Sequence, residues 1–123
     1  WEYACRAGPT TQWSFGDDES QLKEYAWYSG TPGAHAESVG QKRANAFGLH
    51  DMHGNVREWC SDWYGSYGKS AEVDPAGPAS GSSRVVRGGC WFLEPDLVRA
   101  GYRYYFVPVC RYFLFGFRVC SAS

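Results

Sequence analysis

The segment from Trp91 to Phe117 holds ten aromatic residues in 27 positions. So dense a run of large rings is incompatible with a disordered tail. It needs either a rigid frame that carries the rings at the surface or a core that encloses them. With 123 residues the chain suits one domain, or part of one, and can bury a modest core. Its 15 glycines, set beside 22 aromatics, predict a loop-rich fold braced by large side chains rather than by long regular elements. A net charge of −1 excludes a dedicated nucleic-acid binder, which carries a basic excess. No apolar run approaches the roughly 18 residues of a membrane span, and no signal peptide opens the chain.

Five cysteines (Cys5, Cys60, Cys90, Cys110, Cys120) cannot all pair internally, and free thiols are the expected state. No Cys-x-x-Cys pair exists, which excludes a zinc ribbon or thioredoxin motif. Trp1, Tyr3, Ala4 and Ala7 have helical spacing, and Gly8-Pro9 stops that helix. A helix without a cap at its start predicts a domain truncated at its N-terminus. The acidic run Asp17–Glu24 predicts one helical turn. Residues 65–83, rich in Gly, Ser, Ala and Pro, predict a surface loop. Arg84–Arg87 reads as a strand entering a Gly88-Gly89 kink, and Arg111–Val119 as holding the last strand.

Nucleophilic chemistry finds little support. His50 and His53 flank Asp51 without any metalloprotease spacing, and no Gly-x-Ser-x-Gly elbow or phosphate-cradling loop is present. One block has the composition of a hard-cation site: Asp51-Met52-His53-Gly54-Asn55-Val56-Arg57-Glu58 sets two carboxylates around a glycine turn. The alternative is structural, with Asp51 capping the turn and Glu58 paired to an arginine.

Six blocks occur in order: Trp1–Gly8, Tyr25–Ser29, Val39–Lys42, Asn45–Tyr64, Arg84–Trp91 and Gly116–Val119. Together they resemble the formylglycine-generating enzyme (sulfatase-modifying factor) family, over nearly the whole chain. The resemblance implies an α+β, C-type-lectin-like fold, loop-rich, with short antiparallel strands and few helices, formed as a single domain over 1–123. It implies calcium, in a structural role, held by side chains of Asp51 and Glu58 and carbonyls of Gly54 and Val56. Arg57 departs from the Trp often found there. Family oxidases carry two copper-binding cysteines after the Gly-Gly block. Leu93 and Leu97 or Val98 stand near those places, so no copper and no catalytic residues are expected. An oxygen-dependent oxidase is the alternative function, with Cys90 and Cys110 as the only tail pair.

The tail keeps a family skeleton (Gly88, Gly89, Trp91, Pro95, Arg99, Arg103, Pro108, Arg111, Gly116, Phe117, Arg118) while its gaps turn apolar. Those gaps, within residues 88–120, hold Phe92, Leu93, Leu97, Tyr102, Tyr104, Tyr105, Phe106, Val107, Val109, Cys110, Tyr112, Phe113, Leu114 and Phe115, with Cys90 at their head. A fixed frame with changing gaps resembles the variable proteins of diversity-generating retroelements, in which an AAC codon becomes any NNC codon. Phe, Leu, Tyr, Val and Cys all have NNC codons; Lys, Glu, Gln, Met and Trp do not, and none occurs among these gap residues. The expected function is therefore a non-catalytic module that binds a protein, or second a glycan, through its C-terminal face. A central strand pair buried on both sides would read similarly. Trp91, Phe117 and Val119 are expected in the core. The resemblance suggests a prokaryotic or phage protein and leaves the compartment open between cytoplasm and cell surface.

Overall fold

The computed structural model describes residues 1–33, 35–73 and 75–121. Four short strands make one sheet in the order β3-β2-β1-β4: β1 Arg57–Trp63, β2 Arg84–Arg87, β3 Arg103–Phe106 and β4 Phe115–Gly116. The β1–β2 and β2–β3 pairs are antiparallel, as expected. The β1–β4 pair is parallel, which departs from the expected all-antiparallel set. Its cause is connectivity: the chain passes from β3 through the turns at 107–114 and re-enters beside β1 at the opposite edge. The last strand is only two residues of the expected Arg111–Val119, because the Tyr112 carbonyl accepts from the Phe115 amide and keeps residues 112–115 in a turn.

Helix α1 (Glu2–Arg6) forms where predicted, but Ala7 rather than Gly8 takes the left-handed C-cap position (φ 53°). It buries Cys5 and turns Tyr3 outward against Phe47. Arg87 of β2 reaches Glu2 at 2.9 Å and fastens helix to sheet. Burial pushes the Glu2 carboxyl up, but hydrogen bonds from Arg6 and Arg87 outweigh it and hold the group below its usual range. The acidic segment forms a 3-10 turn (Glu19–Gln21) running into α2 (Leu22–Tyr25), with Asp18 capping through the Ser20 amide.

Two small clusters make the core. Trp13, Leu22, Ala26 and Val98 form one, with Phe15, Tyr28 and Leu93 packed on it. Cys5, Met52 and Ala100 form the other. Between them lies the buried run Asp51–Asn55. Three of its residues adopt left-handed backbone, Asp51 (φ 57°), Gly54 (φ 76°) and Asn55 (φ 61°), residue types that tolerate it best. The coiled path turns backbone and side-chain polar atoms inward, and most of them find a distant partner; Asp51 Oδ1 does not. Asn55 holds both backbone groups of Glu37 through its side-chain amide, and its own N–H and C=O meet Trp27 and Trp91. Gly54 donates to Gly88 at 2.7 Å.

His53 is the buried polar centre of this run. The Ser14 amide can only donate, so Nε2 accepts (3.1 Å) and Nδ1–H donates to the Val98 carbonyl (2.8 Å). Burial lowers its pKa to about 4, against 6.5 in the unfolded chain. Between those values the unfolded state binds more protons, so stability is complete above pH 6.5 and falls as pH drops toward 4. The expected loss across that window is about 3 kcal/mol. Urea midpoints at pH 7, 6, 5 and 4.5 check this; a flat profile down to pH 5 contradicts it.

Three residues expected in the core are not there. Phe117 and Val119 are 77% and 86% exposed, and Trp91 is half-buried. The intervening Arg118 turns inward to Glu58, and in extended chain its neighbours must then face the other way. Trp91 is held by its main chain to Asn55, which leaves its ring at the edge against Phe92.

Candidate ligand-binding face

Strand alternation assigns the sheet's two faces. Register pairs Trp59 with Val86, Val86 with Tyr104, and Arg57 with Phe115, so these residues share one side with Phe106. On that side the rings form a continuous series. Phe106 lies 4.8 Å from Phe115, which lies 5.0 Å from Trp59 and 5.8 Å from Tyr112. Tyr104 joins through Phe106 at 5.4 Å. Tyr105 is in register with Val85 and so on the other side by alternation; its ring lies 5.1 Å from that of Tyr104 at the sheet edge. A shallow groove runs on between Trp59, Cys110, Tyr112, Phe113, Phe115 and Phe117. Two tight turns, with the Cys110 amide on the Val107 carbonyl and the Phe115 amide on the Tyr112 carbonyl, push Val109 and Phe113 into solvent. Val109 is 81% and Phe113 77% exposed.

The fifteen tail positions divide clearly. Phe92, Tyr104, Tyr105, Val107, Val109, Tyr112 and Phe113 are exposed. Leu93, Leu97, Tyr102, Phe106, Cys110, Leu114 and Phe115 are half-buried, and Leu93 packs on the first core cluster. Cys90 is fully buried and so has no surface with which to touch a ligand. The sequence reading omitted four neighbours of the exposed set: Arg57 and Trp59 on β1, and Tyr64 and Tyr67 beyond it. Tyr64 lies 4.2 Å from Tyr105, and Arg103 sits over both Tyr64 and Tyr67. The period of two in β1, applied to Arg57 and Trp59, was the available signal.

The tail is anchored largely through main-chain carbonyls. Leu93 O accepts from the Ser29 amide, Val98 O from His53, Ala100 O and Tyr102 O from Arg87, and Leu114 O from the Arg57 amide. None of these bonds depends on the side chain at the accepting position.

The sulfatase-modifying factor enzyme 1-like domain matches this sequence over residues 1–123. The chain belongs to that family. Variable protein 1 of Treponema denticola superposes with a TM-score of 0.89 at 40% identity, over 95% of this chain and 43% of that one. The formylglycine-generating enzyme of Streptomyces coelicolor is 35% identical over 76% of this chain and 34% of its own length. Serine/threonine-protein kinase pkn1 of Chlamydia caviae is 48% identical over 61% of this chain and 13% of its own. The chain thus spans less than half the length of each of these relatives.

Within this sulfatase-modifying factor domain, the cation block is arranged around an ion pair. Arg118 donates to both oxygens of Glu58, at 2.6 and 2.7 Å, and the Trp1 indole N–H adds a third bond at 2.6 Å. Glu58 is thereby paired to an arginine, the structural alternative raised by the sequence. Asp51 does not cap its own turn; its Oδ2 accepts from the Gly40 amide, and its Oδ1 is buried with no partner. That orphaned oxygen suits a cation, but Glu58 is already neutralised by a guanidinium lying between the two. A calcium ion held by Asp51, Gly54, Val56 and Glu58 would have to compete with Arg118 for the Glu58 carboxylate.

Copper chemistry was tied to thiol pairs near Cys90. All five cysteines are free. Burial pushes the Cys5 thiol up to about 12 and Cys60 to about 11, and raises Cys90 as well. Among the described residues no three His, Cys, Asp or Glu side chains converge as metal ligands would. Among the described residues no helix is long and apolar enough to cross a membrane.

Proposed function

We propose that this sulfatase-modifying factor domain is a non-catalytic binding module, a variable protein of the diversity-generating-retroelement kind, whose C-terminal aromatic face takes a protein. The observation that carries the reading is the ring series along one side of the sheet, continued by the exposed turn residues Val109, Tyr112 and Phe113. Seven aromatic or aliphatic side chains of one tail segment face solvent, and the apolar area they still expose contributes about 25 cal/mol per Å² when a partner covers it. Aromatic side chains also lose little rotamer entropy on binding. The likeness to the Treponema variable protein supports the same reading.

A protein fits better than a glycan. Of the seven exposed tail side chains, Phe92, Val107, Val109 and Phe113 carry no polar atom, and the three tyrosines offer one hydroxyl each, few for the hydroxyls of a sugar. Relatives named formylglycine-generating enzyme support the oxidase alternative at family level. Against it, thiols held protonated by burial are poor copper ligands and poor nucleophiles.

Panning a random 12-residue peptide display library on the domain tests the proposal. Enriched peptides are expected to bind at least 10-fold more weakly to a Tyr104→Ser, Tyr112→Ser, Phe113→Ser triple variant. The melting temperature should move little, since these side chains are exposed. Binding that survives all three changes rejects the face. Sequencing the locus in sibling isolates tests the retroelement origin: changes spread evenly along the chain, rather than gathered in the tail gaps, reject it.

A further inference from the structure

We propose that the binding face selects partners presenting an Asp or Glu side chain among apolar groups, which Arg57 receives. The inference rests on the binding-face reading above and names the chemistry of the partner.

Arg57 opens β1 on the ring-bearing side of the sheet. Its guanidinium carbon lies 5.6 Å from the Phe106 ring centre and 5.9 Å from that of Phe92. Its Nε is buried with no hydrogen-bond partner, and no carboxylate among the described residues pairs with it. Seven of the other eight arginines are accommodated, and the eighth, Arg111, is exposed to solvent. Arg6, Arg43, Arg87 and Arg118 form ion pairs, and Arg84, Arg99 and Arg103 donate to carbonyls of Ser61, Asp96 and Gly65. A buried guanidinium donor left unmade is costly, and the cost is recovered when an acceptor arrives.

The surroundings specify that acceptor. Aromatic walls lower the local dielectric and strengthen an incoming opposite charge. Arg57 presents a planar fork that a carboxylate can meet with two parallel bonds. The chain after Asp96 carries no Asp or Glu, and Arg111 lines the groove beside Tyr112 and Phe113. A carboxylate brings one negative charge to one guanidinium. A dianionic phosphate brings two into apolar surroundings and leaves one uncompensated.

The peptides enriched by panning supply the probe. A shared Asp or Glu beside an aromatic or aliphatic residue is expected. For the tightest such peptide, exchanging its acid for the amide should weaken binding about 10- to 100-fold, and Arg57→Gln should weaken it equally. On the Arg57→Gln domain the amide exchange should cost less than about 3-fold, because the pair is already broken. Arg57→Lys, which keeps the charge but not the fork, should fall between. Arg57→Gln should melt within a few degrees of wild type, since it removes an unsatisfied donor. Enriched peptides that depend on Tyr112 yet carry no acid, or full additivity of the two exchanges, overturn this inference and leave the binding face standing. Failure to enrich any peptide that depends on the face overturns both, whereas a shared cluster of acids indifferent to Arg57 overturns this inference alone.

Discussion

Gly54→Ala is expected to destabilise the domain by more than about 4 kcal/mol, enough to leave little of it folded. Gly54 sits at φ 76° where the chain passes Trp27, and a methyl group there would overlap the Trp27 carbonyl oxygen and stand 2.8 Å from its carbon. That obstacle is backbone, so no rotamer change relieves it. Relief requires parting the two segments, which breaks the Asn55 amide bond to Trp27 and strains the Gly54 bond to Gly88. Gly48 supplies the control. It has the same φ of 76° with nothing within 4 Å of an added Cβ. Gly48→Ala should cost only the left-handed penalty of about 1–2 kcal/mol. Thermal melts by circular dichroism separate the two. Equal losses would mean that conformation, not contact, sets the requirement at Gly54.

Arg118→Ala is expected to cost about 3–5 kcal/mol. Glu58 has a side chain only 7% exposed and takes both strong bonds from Arg118. Removing the guanidinium leaves a carboxylate with the Trp1 indole as its remaining donor, a charge without its counter-charge. Replacing both residues with Met should recover most of the loss, since the penalty lies in the unpaired ion rather than in the missing bond. The same ion pair bears on calcium. Millimolar calcium should leave the wild-type melting temperature unchanged, because the guanidinium already holds the carboxylate. A calcium-dependent rise of several degrees would show instead that the arginine yields to the ion.

Much of this arrangement was legible in the residues. The helix at the start, the acidic turn, the strand before Gly88-Gly89 and the long surface loop each carry a local signal: cap, composition, alternation or turn residues. The family blocks supplied the frame. Three things escaped because they depend on distant partners. Phe117 and Val119 look like core by composition, but Arg118 between them is claimed by Glu58, 60 positions away. Cys90 looks like a surface gap residue by codon logic, yet the glycine kink buries it. Alternation along β1 puts Arg57 and Trp59 on one side, but that this side is the ring face follows from the distant pairing of β1 with β2 and β4. Glu58 remained open between cation ligand and ion-pair member because spacing along a chain cannot say which opposite charge arrives.

The carbonyl anchoring of residues 93–114 has an evolutionary side. Val98 and Ala100 are fixed by the core, whereas at Leu93, Tyr102 and Leu114 the frame grips oxygen atoms common to every amino acid, so these bonds impose no toll on side-chain identity. Copying errors there alter the message without endangering the messenger. A lineage can therefore gamble at this end of the molecule, generation after generation, and still inherit a protein that folds.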